Sequence, residues 1–217
     1  MAKNTAEAIE REIRRRDPEA TQADILKVAT NEFTTNGYNG ARVDSIARDT
    51  NTTKRMIYYY FGSKEGLYIA VLEATYAAFF QSENQPDFDS MSPKDAIRAY
   101  AEWSFGHHAL NPDFIRLVQI ENVNGGRYIS KSKKLAEMFS KSVPQIEPIL
   151  QRGIDSGDFR TDVNAFEVRM MMSSFAFFHV GNRFTVKQIY GYDMLDAVAQ
   201  DKYRKLAGDM IVKTLSI

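Results

Sequence analysis

Two short helical patterns early in the chain constrain its fold more than any other feature. In the first, Val43, Ile46 and Ala47 fall at i, i+3 and i+4, so they share one face of a helix. In the second, Ile57 and Phe61 lie four residues apart and face inward. The break between the patterns is too short to leave the helices independent, so we expect them to pack as one unit.

The break itself predicts a sharp turn. The first helix should end near Thr50, and Asn51 is the residue there that tolerates a left-handed conformation. Thr52 or Thr53 can cap the second helix by accepting a hydrogen bond from a free backbone N–H group.

The second helix should present a polar and basic surface. We expect its outer face and edges to carry Lys54, Arg55, Met56, Tyr58 and Tyr59. A short helix, a tight turn and a second helix with cations at its N-terminal end describe a helix-turn-helix, whose second helix enters the major groove of DNA. An ordinary corner of two helices with a solvated face is the alternative.

The stretch from Ile46 to Leu67 resembles the DNA-binding motif of TetR-family regulators, which commonly reads like IAxxAGVSxGTxYYHFxSKExL. The matching positions are Ile46, Ala47, Ile57, Tyr58, Tyr59, Phe61, Ser63, Lys64, Glu65 and Leu67. The departures are Thr50, Asn51 and Thr52 in the turn, and Tyr60 where the family usually has histidine. The resemblance implies a regulator whose DNA binding responds to a ligand.

The residues that we expect to contact DNA are Arg42, Thr52, Thr53, Lys54, Arg55, Met56, Tyr58, Tyr59 and Lys64. Among them Lys54, Arg55 and Met56 are the candidates for base contacts. Tyr59 and Lys64 are expected to hold phosphates, and Arg42 adds a phosphate contact where the family usually has a hydroxyl group.

Composition excludes several other functions. The chain of 217 residues has 28 basic and 28 acidic side chains, and residues 1–64 carry a net charge of only +2, so DNA binding needs a local patch. No cysteine is present, which removes disulfides and thiolate chemistry. Catalytic and nucleotide-binding motifs are also missing, so we expect no enzyme, no metal site and no cofactor. A small helical enzyme or metal-binding protein that uses His107, His108 and His179 is the rival interpretation.

We predict an all-α chain of two domains. Residues 1–64 would form a three-helix DNA-binding helix-turn-helix domain, preceded by a basic N-terminal arm with Arg14, Arg15 and Arg16. That arm either reaches the minor groove or is a solvated terminus. Residues 65–217 would form a larger helical ligand-binding and dimerisation domain. Without an apolar signal segment or membrane span, the protein is expected in the cytoplasm, with no membrane partner.

Helical periodicity divides the larger domain further. It predicts helices from Pro93 to Leu110, from about Asp113 to Val123, and near residues 163–184 and 195–215. It also predicts one long helix from Arg127 to about Gly153, kinked at its prolines.

A stripe of polar-tipped aromatic residues suggests a ligand site. Tyr100, Trp103 and His107 share one face, and each needs a hydrogen-bond partner when buried. Plain core is the alternative. Burying such polar-tipped side chains costs free energy. A pocket for a small-molecule effector, aromatic or otherwise flat, would explain why they lie on an inward face. The expected lining from other helices is Asn122, Met170, Phe177 and Phe178.

The last two helices have surplus apolar surface, which suggests a four-helix dimer interface. Its expected residues are Phe175, Phe178, Leu206 and Met210. A larger monomeric core is the alternative. Together these patterns predict a ligand-responsive regulator, a repressor, that binds palindromic double-stranded operator DNA as a homodimer and is released by its effector.

Overall fold

The structure is a computed structural model that describes residues 17–81, 85–140 and 145–217. These residues form eleven α-helices and two short 3-10 helices, with no β-strand among them. One isolated antiparallel bridge joins Phe159 to Ser216. The predicted all-α class is therefore confirmed, whereas the predicted N-terminal arm lies outside the described residues.

The described residues divide into two compact units. The first holds residues 17–77 and 117–135, and the second holds the remainder, residues 78–116 and 136–217 apart from the gaps. The division falls within three helices, after Ala77, after Arg116 and after Leu135. The predicted boundary after residue 64 is a functional division, and it stays a prediction.

The first unit begins with the helices α1 (Pro18–Gly40), α2 (Val43–Asp49), α3 (Lys54–Phe61) and α4 (Lys64–Phe80). Asp17 caps α1 by accepting from the backbone N–H of Glu19, and Pro18 occupies the first turn, where its missing N–H costs nothing. Gly37 interrupts the helical backbone, with φ of 67°, and one further turn follows it to Gly40.

The remaining helices are α5 (Pro93–Leu110), α6 (Pro112–Val123), α7 (Lys133–Ser140), α8 (Glu147–Asp155), α9 (Ala165–Gly181), α10 (Arg183–Tyr190) and α11 (Ala197–Leu215). The 3-10 helices are Phe88–Ser90 and Ile129–Lys131.

Helix α5 is the centre of the second unit, where it packs against α8, α9 and α11. Ser92 caps it by accepting from the N–H of Asp95. The helix begins at Pro93, as the sequence predicts. The core around α5 is apolar and includes the fully buried residues Ile97 and Phe159. Its packing fixes which face of α5 is left for other contacts.

One predicted helix is wrong, and another ends earlier than predicted. The long helix from Arg127 to Gly153 is instead two separate helices, α7 and α8, because Ser132 caps α7 and Pro148 lies in the first turn of α8. Helix α9 ends at Gly181 rather than Phe184, and the separate helix α10 follows it. None of the residues of α10 is buried.

Candidate functional site

The turn between α2 and α3 is held by its own side chains. The Thr50 hydroxyl donates to the Ile46 carbonyl at 2.7 Å, and Asn51 has a φ of 49°. Thr53 then caps α3, because its Oγ1 accepts from the N–H of Met56 at 3.2 Å. The left-handed Asn51 and the threonine cap are both as predicted, and they fix the direction in which α3 leaves the turn.

Helix α3 exposes most of the residues predicted to meet DNA. Arg55 is exposed, and the exposed fractions of Tyr58 and Tyr59 are 37% and 61%. Met56 is only 7% exposed, so its predicted position on the outer surface is wrong. The physical reason is that Met56 precedes the fully buried Ile57, and the two apolar neighbours widen the inward face of a helix that turns 100° per residue.

Two acidic residues neutralise part of the basic surface. Lys54 Nζ lies 3.0 Å from Asp44 Oδ2, and this hydrogen bond raises the pKa of Lys54. Arg48 is paired with the adjacent Asp49 at 3.3 Å. Arg55, by contrast, forms no ion pair with any residue that the structure describes. It is therefore a cation of α3 available to another molecule.

The other predicted DNA contacts lie around these helices. Arg42 is exposed just before α2, and its backbone N–H donates to Glu32 Oε1 at 2.8 Å. Lys64 is half-buried; its Nζ lies 3.4 Å from the Asn39 carbonyl, and burial lowers its pKa. Thr52 is half-buried and Thr53 is exposed.

An aromatic cluster supports the helix-turn-helix within the first unit. The ring of Tyr128 lies 4.3 Å from that of Tyr38 and 5.1 Å from that of Tyr68. Phe33 of α1 packs on Tyr68 at 4.8 Å. Burial, followed by the hydrogen bond to Tyr128, raises the pKa of Tyr38 to about 12.

Glu121 holds this cluster in place and was not predicted from the sequence. It is 1% exposed, and its Oε2 accepts from the backbone N–H groups of Tyr128 and Ile129 at 3.1 and 3.0 Å. Its Oε1 is buried without a partner among the described residues. No periodic pattern marks such a residue, because its partners are backbone groups seven and eight residues away.

The second unit contains a groove of about 430 Å³. It is lined by Pro86, Ala99, Glu102, Trp103, Gly106, His107, Leu110 and Arg204. Trp103 and His107 stack, with ring centroids 5.1 Å apart and an interplanar angle of 7°. Two of the three residues of the predicted aromatic stripe therefore line one concave site.

His107 uses both of its ring nitrogens within the chain. Nε2 lies 2.8 Å from the Phe79 carbonyl and Nδ1 lies 3.3 Å from Asn111 Nδ2. These partners require Nε2 to donate and Nδ1 to accept. Burial lowers the pKa of His107. The ring is consequently neutral at neutral pH and presents its face rather than a charge.

The opposite side of the groove is ionic. Arg204 of α11 pairs with Glu102 of α5 at 2.9 Å and with Asp201 at 2.9 Å. Lys205 pairs with Asp201 in turn, at 2.8 Å. Neither Glu102 nor Arg204 was singled out by the sequence, because they are about a hundred positions apart and each reads as an ordinary surface charge.

The other residues predicted to bind ligand lie elsewhere. Tyr100 is buried, with its ring 5.7 Å from that of Trp103, so it supports the groove from behind. On α9, Met170 and Phe178 are exposed and Phe177 is half-buried, and none is among the described lining residues. Asn122 is an exposed residue of the first unit, and its Nδ2 donates to the Val118 carbonyl at 2.8 Å.

The predicted dimer residues lie on α9 and α11, which pack against each other. Phe178, Leu206 and Met210 are exposed to 53%, 39% and 43%, whereas Phe175 is half-buried against Phe105. Apolar side chains this exposed on adjacent helices are a candidate for an interface between subunits.

The histidines of the rival interpretation are engaged separately. The Nδ1 of His108 bonds the Ser104 carbonyl at 2.7 Å, and His179 bonds Gln200 at 2.8 Å. Across the described residues, no three acidic or histidine side chains are placed to hold a metal ion. The helices of that same part of the chain are each too short or too polar to cross a membrane.

Comparison with known proteins gives the family. The family described as Bacterial regulatory proteins, tetR family, matches residues 25–71, and the Tetracyclin repressor-like, C-terminal domain matches residues 93–211. The chain therefore belongs to the TetR family of transcriptional regulators, which is not a family of enzymes. The enzyme alternative is excluded by this membership, and DNA binding that responds to a ligand is typical of the family.

Individual relatives agree with this membership. The HTH-type transcriptional repressor NicS of Pseudomonas putida is 31% identical over 94% of this chain and 96% of its own length. The HTH-type transcriptional repressor SCO4008 of Streptomyces coelicolor is also 31% identical, over 64% of this chain and 69% of its own. The structure of FadR from Bacillus subtilis in complex with stearoyl-CoA matches the fold with a TM-score of 0.63 at 19% identity, over 88% of this chain and 97% of its own.

Proposed function

We propose that this protein is a ligand-responsive repressor that binds palindromic operator DNA as a homodimer and is released by a small-molecule effector. The observation that carries the proposal is the capped helix α3, which exposes Arg55, Tyr58 and Tyr59 on one surface. Two relatives that match much of the chain are repressors, which supports repression rather than activation. Because its partner is the chromosome, we place the protein in the cytoplasm.

In this proposal α3 lies in the major groove. Arg55 and Lys54, at its N-terminal end, contact base edges, and an arginine can bind guanine through two hydrogen bonds. Tyr59, Lys64 and Arg42 hold phosphates and so position the helix without carrying sequence information. Thr52, Thr53 and Tyr58 complete the contact surface. Met56 is left out of the proposed contacts because it is buried.

The homodimer would form through α9 and α11. The exposed apolar residues Phe178, Leu206 and Met210 need a cover, and a second copy of the chain supplies the same surface by two-fold symmetry. Such symmetry matches a palindromic operator, whose half-sites repeat one helical turn apart. Phe175, being half-buried, would lie at the edge of this interface.

The effector would bind in the groove beside Trp103 and His107 and change the spacing of the two recognition helices. Coupling between the two binding events must be reciprocal, so operator DNA lowers effector affinity by the same factor by which effector lowers DNA affinity. Mass spectrometry of the denatured protein can identify a molecule that co-purifies. Trp103→Ala should then weaken binding of that molecule.

DNA binding is tested by comparing two substitutions on an operator selected from random DNA. Arg55→Ala should lose about 1–3 kcal/mol of discrimination at one symmetric pair of positions. Lys64→Ala should weaken binding equally for all sequences and lower the salt dependence, the slope of log K against log salt, by about 0.9. The proposed contacts are wrong if Arg55→Ala leaves base preference intact or Lys64→Ala leaves the slope unchanged.

A further inference from the structure

We propose that the groove beside Trp103 takes a flat, uncharged aromatic or heteroaromatic molecule. This inference rests on the proposed function, because it names the chemical class of the effector. Four features of the groove carry it: an open floor, an aromatic wall, a fully compensated set of charges and a suitable volume.

The floor of the groove is Gly106, in the interior of α5. A glycine there lowers the stability of the helix relative to alanine. A Cβ atom at this position would meet no other atom within 4 Å, so packing does not require the glycine. Because Gly106 lines the groove and has no side chain, the backbone there is exposed to the groove, and a planar ring can lie against it.

The wall is the stacked pair of Trp103 and His107. Because both nitrogens of His107 are bonded to Phe79 and Asn111, its ring has no polar atom left for a ligand. Aromatic rings prefer offset-stacked or edge-to-face partners, so the pair selects for another ring.

The charges of the groove select against an ionic ligand. Arg204 is already held by Glu102 and Asp201, and Asp201 is also held by Lys205, so two acids and two bases balance. An anion would have to displace Glu102 from Arg204, and a cation would compete with Arg204 for Glu102. A neutral ligand leaves these pairs intact.

The size of the groove fits such a molecule. Its volume of about 430 Å³ lies within the range of about 300–1,000 Å³ typical of small-molecule sites. Leu110, which is 82% exposed, and Pro86 supply apolar edges. A molecule of one or two fused rings therefore fits.

The test uses Trp103, the only tryptophan of the chain, as the reporter. Its emission is followed during titration of the full-length protein with benzamide, benzoate and benzamidine, which share one ring and differ in charge. We expect a saturable change with benzamide, and binding of the two ions weaker by about tenfold or more, because each must break an existing ion pair. An absent response to benzamide, or equal affinity for an ion, would overturn the inference.

Substitutions at Gly106 test whether benzamide binds in this groove. Gly106→Leu should abolish benzamide binding, whereas Ala136→Leu, at an exposed position of α7, should leave it unchanged. Should Gly106→Leu melt below the assay temperature, Gly106→Ala, which meets no neighbour, serves in its place and should weaken binding. Benzamide binding that survives at wild-type affinity in the folded Gly106 variant would refute the assignment.

These titrations contain no DNA, so their failure is separate from failure of the proposed function. Saturable benzamide binding combined with no operator binding at all would contradict the proposed repressor and leave the ligand class of the groove standing. Operator binding with no response of Trp103 to benzamide would do the reverse.

Discussion

Removing the charge of Asp44 should strengthen DNA binding, although this residue is not proposed to touch DNA. In the structure Asp44 Oδ2 lies 3.0 Å from Lys54 Nζ and raises the pKa of Lys54. The proposed DNA contact of Lys54 therefore competes with Asp44 on the same surface. Asp44→Asn keeps the size of the side chain and frees the lysine.

The size of the effect follows from counterion release. Each phosphate that a cation neutralises contributes about 0.9 to the slope of log K against log salt. Freeing Lys54 adds one net positive charge beside the phosphates that flank its base, which counts as one further neutralised phosphate. The slope should therefore steepen by about 0.9, so lowering salt fourfold should favour the variant over wild type by about another 3.5-fold. The Lys54–Asp44 pair is exposed, so the stability of the fold should change little.

The assay is fluorescence anisotropy of a labelled operator over a series of salt concentrations. Asp24→Asn is the matched control, because it removes the same charge from an exposed position on α1 that has no ion pair among the described residues. The control should shift affinity only slightly. Equal slopes for Asp44→Asn and Asp24→Asn would refute the argument that Asp44 occupies Lys54.

Three further predictions concern stability. Gly153→Ala should destabilise the second unit by about 1–3 kcal/mol, because a Cβ atom there overlaps the ring of the buried Phe159. Gly106→Ala should instead stabilise the second unit by about 0.5–1 kcal/mol. If urea denaturation gave the same change in free energy of unfolding for both variants, this account would be contradicted. Burial lowers the pKa of His108 to about 4 from an ordinary 6.5, so the unfolded chain binds a proton first and stability should fall as pH falls from about 6.5 to 4. That part of the pH dependence, about 3 kcal/mol in all, should be missing in denaturation curves of His108→Gln. Glu121→Ala should cost about 1–3 kcal/mol in the same measurement, since the buried N–H group of Tyr128 loses its acceptor and the half-buried N–H group of Ile129 loses the same one, whereas Glu121→Gln keeps an acceptor oxygen and should cost less.

The features predicted correctly from the sequence are set by a few consecutive residues. The left-handed Asn51, the cap at Thr53 and the start of α5 at Pro93 each depend on local backbone chemistry, which neighbouring residues determine. Such features form in the same way wherever the chain places them. The family motif adds little to these particular positions, since Asn51 departs from it.

The predictions were wrong where a local sequence pattern is compatible with two different structures. The position of Met56 after Lys54 and Arg55 predicts that it shares their surface, but packing of the first unit places it beside Ile57 in the core. Between residues 127 and 153 the apolar periodicity continues across a break. It predicts a kink at Pro148, whereas this proline lies in the first turn of a new helix. Periodicity alone does not distinguish a kinked helix from two helices in phase.

The groove could be predicted only in part, for a different reason. Trp103 and His107 lie four apart on one helix, so their shared face follows from the helical repeat. Gly106 left a local sign, since glycine within a helical pattern lowers helix stability and calls for a packing or binding reason. Arg204 left none, because its position opposite Glu102 depends on how α11 packs across α5. The residues that decide the charge of the ligand are thus the ones that only the tertiary structure reveals, and a motif shared within the family carries no information about them.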